Sequence, residues 1–334
     1  MSEALSSTKN GGRLLKASAC LGLVVLLCLL PLYISSQFLI HIFIITFIYI
    51  VATASLRTIT VSGQFPLAHA AFMGIGAYTS AVVSKEFGLS PWLTIPLGGF
   101  VAMGVGIFIG FPFARLRALY YAMVSLFFGI GVLQVFFVLN VYTLAYRGLT
   151  GIPPLLHGAS KVHYYYFFMG FAMLCLLALY RFEFSRIGTI LRAIAQSHQV
   201  ASSVGISEAK YRVLVLAVGC FFVGVAGGVY AHYNRTLSYP LFDMTATLWM
   251  FMYVLIGGIG SFAGPIIGTA ILMILPELFR ELKAFVPYVT AAILFIVVFA
   301  MPQGLVGLPG LVRSWYGGHR KGGGIPGPLL GREE

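Results

Sequence analysis

Long apolar runs separated by short polar stretches cover most of the chain. Each run has about 20 residues, which is enough for one α-helix to cross a hydrocarbon core of roughly 30 Å. We expect an all-α, polytopic membrane helical bundle, because lipid leaves backbone groups to be satisfied within each segment and the runs are too long for barrel strands. We predict about ten membrane segments, with approximate bounds at 17–35, 38–56, 64–84, 92–112, 119–140, 163–180, 213–234, 244–258, 262–279 and 285–302.

The composition excludes a soluble enzyme. Hydrophobic residues make up 59% of the 334 residues and charged residues only 9%, whereas soluble domains carry about a quarter charged residues. The formal net charge is +12, but the cations are scattered between apolar runs, which argues against a nucleic-acid partner and leaves membrane lipid as the expected surrounding. The four cysteines lie inside apolar runs without metal-ligand spacing, so we expect no metal site and no cofactor.

The distribution of Lys and Arg predicts the orientation. These residues gather before residue 17, in a loop at about 181–212 and in the C-terminal tail. Cytoplasmic loops carry an excess of such cations, so we predict that both termini lie inside (N-in and C-in). The chain then divides into a cytoplasmic N-terminal segment at 1–16, a transmembrane domain at 17–308 and a cytoplasmic, disordered tail at 309–334. The first apolar run is not followed by a convincing cleavage site, which favours a retained helix over a signal peptide.

Two stretches, 63–78 and 257–268, are too rich in Gly, Pro and small residues for ordinary lipid-facing helices. Interrupted segments at matching positions of two halves are typical of broken helices that line a transport pathway. Close helix packing explains the same residues equally well, and packing is favoured for the small residues around Gly106 and Gly224. The candidate pathway residues are Gly63, His69, Ala70, Gly74, Gly76, Gly257, Gly258, Gly260, Gly264 and Pro265. We expect His69 to have a hydrogen-bond partner and favour a structural role for it.

Several kinds of chemistry are missing from the sequence. No carboxylate occurs between Glu86 and Glu183, which argues against coupling to protons or sodium, because such carriers usually hold an ionisable ligand near the membrane midplane. The sequence has no GxxxxGK[ST] phosphate-binding loop, so active transport would need an ATPase on another subunit. It also has no nucleophile and base arrangement, and we predict no catalytic residues.

The loop at about 181–212 contains an amphipathic pattern. Ile187, Ile190, Leu191 and Ile194 recur at helical spacing, which leaves Arg186 and Arg192 on a free polar face. Gly205 is placed to end a helix. Such a helix either docks into the groove of a partner or lies in the lipid headgroups, and the pattern supports both interpretations.

Together with the two Gly-rich stretches, this loop resembles the branched-chain amino acid ABC transporter permeases of the LivM type. The similarity spans about residues 38–308 and rests on many weak motifs in the family's order. The motifs are GQ at 63–64, LAHAAF at 67–72, GIGAY at 74–78, RLR at 115–117, YYA at 120–122, SRIG at 185–188, LRAI at 191–194, GI at 205–206, KYR at 210–212, GGVYA at 227–231, GGIGS at 257–261, GP at 264–265, IG at 267–268, PE at 276–277 and PQGL at 302–305.

The resemblance implies an inner-membrane subunit of bacteria or archaea that pairs with a second, related permease. It further implies an extracytoplasmic substrate-binding protein and two cytoplasmic ATPase subunits, with the part of the loop around Arg192 to Gly205 acting as the coupling helix. The implied coupling residues are Arg186, Gly188, Ile190, Leu191, Arg192, Ile194, Ala201 and Gly205.

The chain departs from the family pattern at 129–131, 149–154 and 197–201, where acidic or Asn-rich residues are common in relatives. These departures weaken the prediction of the solute, because the same family also transports urea and short amides. Alternatives from other classes are a passive channel, an ATPase-independent secondary carrier and a non-transporting membrane scaffold.

Overall fold

A computed structural model describes residues 36–278 apart from 117, 143–147, 157 and 159, together with 22, 25–31 and 295. The described part is dominated by helices, and a two-residue antiparallel pairing joins β1 (Leu149–Thr150) to β2 (Thr236–Leu237). Among the described residues, one 3-10 turn covers Tyr239–Phe242. The helices are α1 (Gln37–Thr60), α2 (His69–Phe87), α3 (Pro91–Phe113), α4 (Ala118–Tyr142), α5 (Lys161–Glu183), α6 (Arg186–Gln196), α7 (His198–Ser203), α8 (Glu208–Asn234), α9 (Met244–Gly257) and α10 (Ala263–Leu278).

Six helical stretches of the described residues are long and apolar enough to cross a membrane, so the predicted polytopic helical bundle is confirmed. They are Gln37–Thr60, Pro91–Phe113, Leu119–Val138, Lys161–Glu183, Glu208–Asn234 and Tyr239–Gly257. The predicted segments at 64–84 and 262–279 correspond to α2 and to the shorter helix α10. The segments at 17–35 and 285–302 lie largely outside the described residues, and the count of about ten stays a prediction.

Glycine-mediated contacts hold the centre of the bundle together. Helix α8 packs against α1, α2 and α3. A Cβ atom added to Gly76 would lie 2.1 Å from the carbonyl oxygen of Gly224, and one added to Gly98 would lie 2.5 Å from that of Gly76. A Cβ atom added to Gly106 would likewise lie 2.8 Å from the Sγ atom of Cys220. Backbones can approach this closely only where side chains are absent, so the predicted packing role is confirmed for Gly106 and Gly224.

Helices α9 and α10 form an antiparallel hairpin whose connection, residues 258–262, is the break inside the second Gly-rich stretch. Gly258 has a φ of 105°, a backbone conformation that residues with a Cβ atom rarely adopt. A Cβ on Gly257 would lie 1.8 Å from the oxygen of Gly264. The hydroxyl groups of Thr53 and Thr269 are 2.9 Å apart and attach α10 to α1.

The two ends of the bundle differ. Helix α1 finishes beside α6, since the Cβ position of Gly63 is 3.7 Å from Ala195. Helix α5 ends and α8 begins at the same end. We call the end that carries α6 and α7 the coupling end, because the family resemblance predicts the coupling loop there, and the other the opposite end. The start of α1 and the last residue of α8 lie at the opposite end, because α1, with 24 residues, ends and α8, with 27 residues, begins at the coupling end.

Candidate functional site

Helix α6 has the amphipathic form that the sequence predicts. The side chain of Ser185 accepts a hydrogen bond from the N–H of Ile187 and so begins the helix. Leu191 and Ile194 are buried, at 1% and 2% exposure, and Ile190 is half-buried. Burying this stripe anchors α6 to the bundle, while Arg186 remains exposed.

A second, short helix follows α6 before Gly205. Ser197 leaves the helical conformation, with φ −157° and ψ 108°, and its side chain caps α7 by accepting a hydrogen bond from the N–H of Val200. Ala201 is buried. Gly205 follows α7 with φ 81°, and its N–H donates to the carbonyl oxygen of Ser202 at 3.0 Å. The predicted role of Gly205 in ending a helix is therefore confirmed, although the pattern does not reveal the break at Ser197.

Gly188 allows α6 to start directly against the end of α5. A Cβ on Gly188 would lie 1.7 Å from the carbonyl oxygen of Glu183. No larger residue fits this position without moving one of the two helices. The contact makes the turn between α5 and α6 a fixed corner.

Glu183 is the centre of a buried ionic cluster. Its carboxylate pairs with the guanidinium groups of Arg57 and Arg192, the second at 3.1 Å. The side chains of Glu183 and Arg57 are 1% and 4% exposed, whereas that of Arg192 is 43% exposed. Arg192 is thus not a free polar residue as the pattern predicts, and it lies over the ring of Phe184 at 5.0 Å.

Arg57 connects this cluster to the hairpin of α9 and α10. Its Nε donates a hydrogen bond to the carbonyl oxygen of Ile259 at 3.0 Å, and its guanidinium lies 5.8 Å from the ring centre of Phe262. The ring of Tyr180 meets Phe262 edge to face at 5.3 Å. Four parts of the fold therefore meet at one point: the end of α1, the end of α5, helix α6 and the connection at 258–262.

Neither Arg57 nor Glu183 was predicted from the sequence as a site residue. One signal was available, because Glu183 is the first carboxylate after a long stretch without any. A lone acid at the end of a membrane helix needs a cationic partner when it is buried. Only the folded chain brings Arg57, 126 positions away, to that acid.

The first group of candidate pathway residues lies inside the bundle. His69 is fully buried, with Nε2 at 3.0 Å from both the Ser55 hydroxyl and the Ala52 carbonyl oxygen, so the expected hydrogen-bond partner is confirmed. The N–H of Ala70 donates to the hydroxyl of Thr247 at 3.0 Å. Gly63 is half-buried with a φ of 80°.

The remaining pathway candidates differ in their surroundings. A Cβ on Gly74 would lie 2.5 Å from the Phe136 ring, while Gly76, Gly257 and Gly264 face neighbouring backbone as described above. Pro265 is buried beside Gly264. Gly260 is exposed, with open space around its Cβ position. Most of these residues hold helices together, and their role in a pathway stays a prediction.

A cleft lies at the opposite end of the bundle, between α1, α8, α9 and α10. Its volume is about 580 Å³. None of its lining residues was selected from the sequence, because they come from four separate helices. The described lining residues are His41, Ile45, Tyr49, Tyr230, Asn234, Ala246, Trp249, Tyr253, Leu272, Met273 and Pro276.

The chain matches a known family over most of its length. The profile of the branched-chain amino acid transport system permease component covers residues 38–302. The chain belongs to this family. The resemblance inferred from the motifs is therefore confirmed, and the permease is a multi-pass protein of the bacterial inner membrane.

Curated relatives include two kinds of permease protein from high-affinity branched-chain amino acid transport systems. The LivM protein of Salmonella typhimurium is 27% identical over 290 residues, which is 78% of this chain and 68% of the relative. The LivM protein of Escherichia coli is 25% identical over 291 residues, with the same coverage. The LivH protein of Escherichia coli is 32% identical over 139 residues, 41% of this chain and 45% of the relative. No solved structure matches the chain significantly.

Proposed function

We propose that this permease is the LivM-type subunit of an ABC importer for branched-chain amino acids. It forms the translocation path with a second, LivH-like permease, receives its solute from an extracytoplasmic binding protein and is driven by two cytoplasmic ATPase subunits. The names of the LivM and LivH relatives support this solute class and the two-permease arrangement. The family match and the relatives favour neither alternative, that is, urea or short amides as solutes and a passive channel or secondary carrier.

The observation that carries the proposal is the corner formed by α5, α6 and the buried ionic cluster. A helix that must transmit force needs a rigid attachment to the bundle and a free face for its partner. Leu191, Ile194 and the Arg192 contact with Glu183 provide the attachment. The exposed side chains of Val200 and Val204, at 64% and 69%, provide an apolar docking face beside α6.

The same proposal assigns the finer topology. The coupling end faces the cytoplasm, and both termini lie inside. The six apolar spans, α2, α10 and the predicted segments at 17–35 and 285–302 then give the ten segments that this orientation needs. The cationic stretches before residue 17, in the coupling loop and in the tail support the orientation.

Reconstitution tests the function. The tagged permease is purified in mild detergent with its copurifying subunits, which mass spectrometry should identify as an ATPase and a second permease. In proteoliposomes with the binding protein, we expect ATP-dependent accumulation of labelled leucine, isoleucine and valine. Competition by unlabelled urea and acetamide separates the alternative solutes. Accumulation without ATP, or none of the three amino acids accumulating, would refute the proposal.

A pair of charge reversals tests the coupling role. Arg192→Glu places a second negative charge beside the buried carboxylate of Glu183, so we expect leucine uptake per ATP hydrolysed to fall by about tenfold, a typical coupling effect. Arg181→Glu makes the same charge change at an exposed position of α5 and should leave this ratio closer to that of the unmodified complex. Equal losses in the two variants would contradict a specific role of the cluster.

A further inference from the structure

We infer that the cleft at the opposite end binds the transported solute, a small amino acid zwitterion with an apolar side chain, before it moves inward. The inference rests on the proposed function and adds a binding site to it. It follows from the position of the cleft, from the chemistry of its walls and from the way its floor is closed.

The cleft reaches from the opposite end of the bundle to its middle. His41 lies near the start of α1 and Asn234 is the last residue of α8, so both lie at the mouth. Tyr49 is near the middle of α1, about 12 Å deeper at 1.5 Å per helical residue. A solute that arrives from the side away from the ATPases can therefore enter the cleft from this end.

The polar groups of the cleft suit a zwitterion. The Nδ2 group of Asn234 is buried and has no hydrogen-bond partner among the described residues. An amide N–H of this kind can donate to a carboxylate, and the phenol groups of Tyr49, Tyr230 and Tyr253 can donate to the carboxylate or accept from the ammonium group. The rings of Tyr253 and Trp249 stand 6.3 Å apart, and aromatic faces attract ammonium groups.

The remaining walls favour a neutral solute with an aliphatic side chain. The described lining residues include no Asp, Glu, Lys or Arg, so a solute with a net charge would lose water without gaining an ionic partner. Ile45, Leu272 and Met273 supply apolar surface. The volume of about 580 Å³ lies within the range of small-molecule sites, which is roughly 300–1,000 Å³.

The inner side of the cleft is closed. Tyr253, Ile256 and Leu272 form a buried apolar cluster, with exposures of 9%, 1% and 4%. Just beyond it, the backbones of Gly257 and Gly264 are in direct contact. A bound solute therefore reaches the coupling end only if α9 and α10 shift, and the connection between these helices is the part that the ionic cluster holds.

Filling the cleft tests the inference in the complete importer complex. Ala246→Trp adds a large ring to the cleft wall, and Leu248→Trp adds the same ring on an exposed position of the same helix. We expect Ala246→Trp to lower kcat/KM for leucine uptake by about tenfold or more, as misfitted apolar pockets do. The Ala246→Trp complex should still contain the copurified subunits. The control variant Leu248→Trp should transport normally, with the ATPase activity of the unmodified complex.

Substitutions at Met273 and Asn234 keep the test decisive if Ala246→Trp does not fold. Met273→Ala enlarges the cleft and should raise the uptake of phenylalanine relative to leucine, which a purely structural role of Met273 would not do. Asn234→Asp places a negative charge near the expected carboxylate and should raise the KM for leucine more than Asn234→Ala does.

Three results would overturn the inference. Normal leucine kinetics in Ala246→Trp together with unchanged selectivity in Met273→Ala would show that the solute does not occupy the cleft. Loss of the second permease from the purified Ala246→Trp complex would show that a helix of that subunit occupies it. Failure of the unmodified complex to accumulate leucine would instead refute the proposed function, and the inference with it.

Discussion

Removing the carboxylate of Glu183 should destabilise the permease, and removing the opposing charge as well should restore it. Glu183 and Arg57 are almost fully buried, so Glu183→Met leaves an uncompensated guanidinium among apolar helices. Breaking a buried pair in this way costs about 3–5 kcal/mol. Replacing both partners with apolar residues of similar volume is often neutral or even stabilising, so Arg57→Met combined with Glu183→Met should recover most of that loss.

Arg192 provides the internal comparison. Its side chain is 43% exposed, and an exposed ion pair contributes about 0–1 kcal/mol. Arg192→Met should therefore cost much less stability than Glu183→Met, although both remove a charge from the same cluster. Solvent screening and burial, and not the number of ion pairs, set the order of the effects.

The assay is thermal unfolding of the purified complexes in detergent, followed by tryptophan fluorescence, for the three single variants and the double variant. A coupling energy comes from the cycle formed by Arg57→Met, Glu183→Met and their combination. If the double variant is as unstable as the sum of its parts, the two side chains do not compensate each other and the reasoning fails. The restored double variant should still hydrolyse ATP with reduced leucine uptake, which separates stability from coupling.

Three glycine substitutions test the close contacts. Gly188→Ala should destabilise the permease by about 1–3 kcal/mol, the usual cost of overpacking. Gly170 has open space around its Cβ position, so Gly170→Ala should leave the unfolding temperature unchanged. Equal effects of the two substitutions would contradict a fixed corner between α5 and α6. Gly76→Ala should lower the yield of folded permease relative to Gly104→Ala, measured by size-exclusion chromatography of detergent extracts. Gly205→Ala should cost about 1–2 kcal/mol, because its left-handed conformation disfavours a Cβ, and hydrogen exchange should increase first in α7.

The amphipathic helix α6 was predictable because local spacing alone determines which of its faces is apolar. Ile190, Leu191 and Ile194 follow helical periodicity, and burial of Leu191 and Ile194 agrees with it. The break between α6 and α7 at Ser197 was not predictable, since a serine that caps a new helix looks the same in the sequence as a serine on the polar face of a continuous helix. The contact of Arg192 with Glu183 was missed for the same kind of reason, because the spacing of residues along one helix does not show which residue of another helix a polar side chain meets.

The sequence by itself determined that the protein lies in a membrane and to which class of protein it belongs. Apolar runs long enough to cross a bilayer, a scarcity of charge and an ordered set of family motifs identify a membrane permease without any coordinates. These properties are local or additive, so they can be read along the chain.

The tertiary structure alone decided which distant residues meet. It joined Arg57 to Glu183 and to the carbonyl of Ile259, 202 positions away, and it assembled the cleft from four helices. It also revealed that Gly76 and Gly257 face neighbouring backbones, where the sequence left packing and pathway roles equally open. The glycine spacing is the same for a packing role and for a pathway role. Only the packing of particular helices against each other determines whether the space beside a glycine is filled or open.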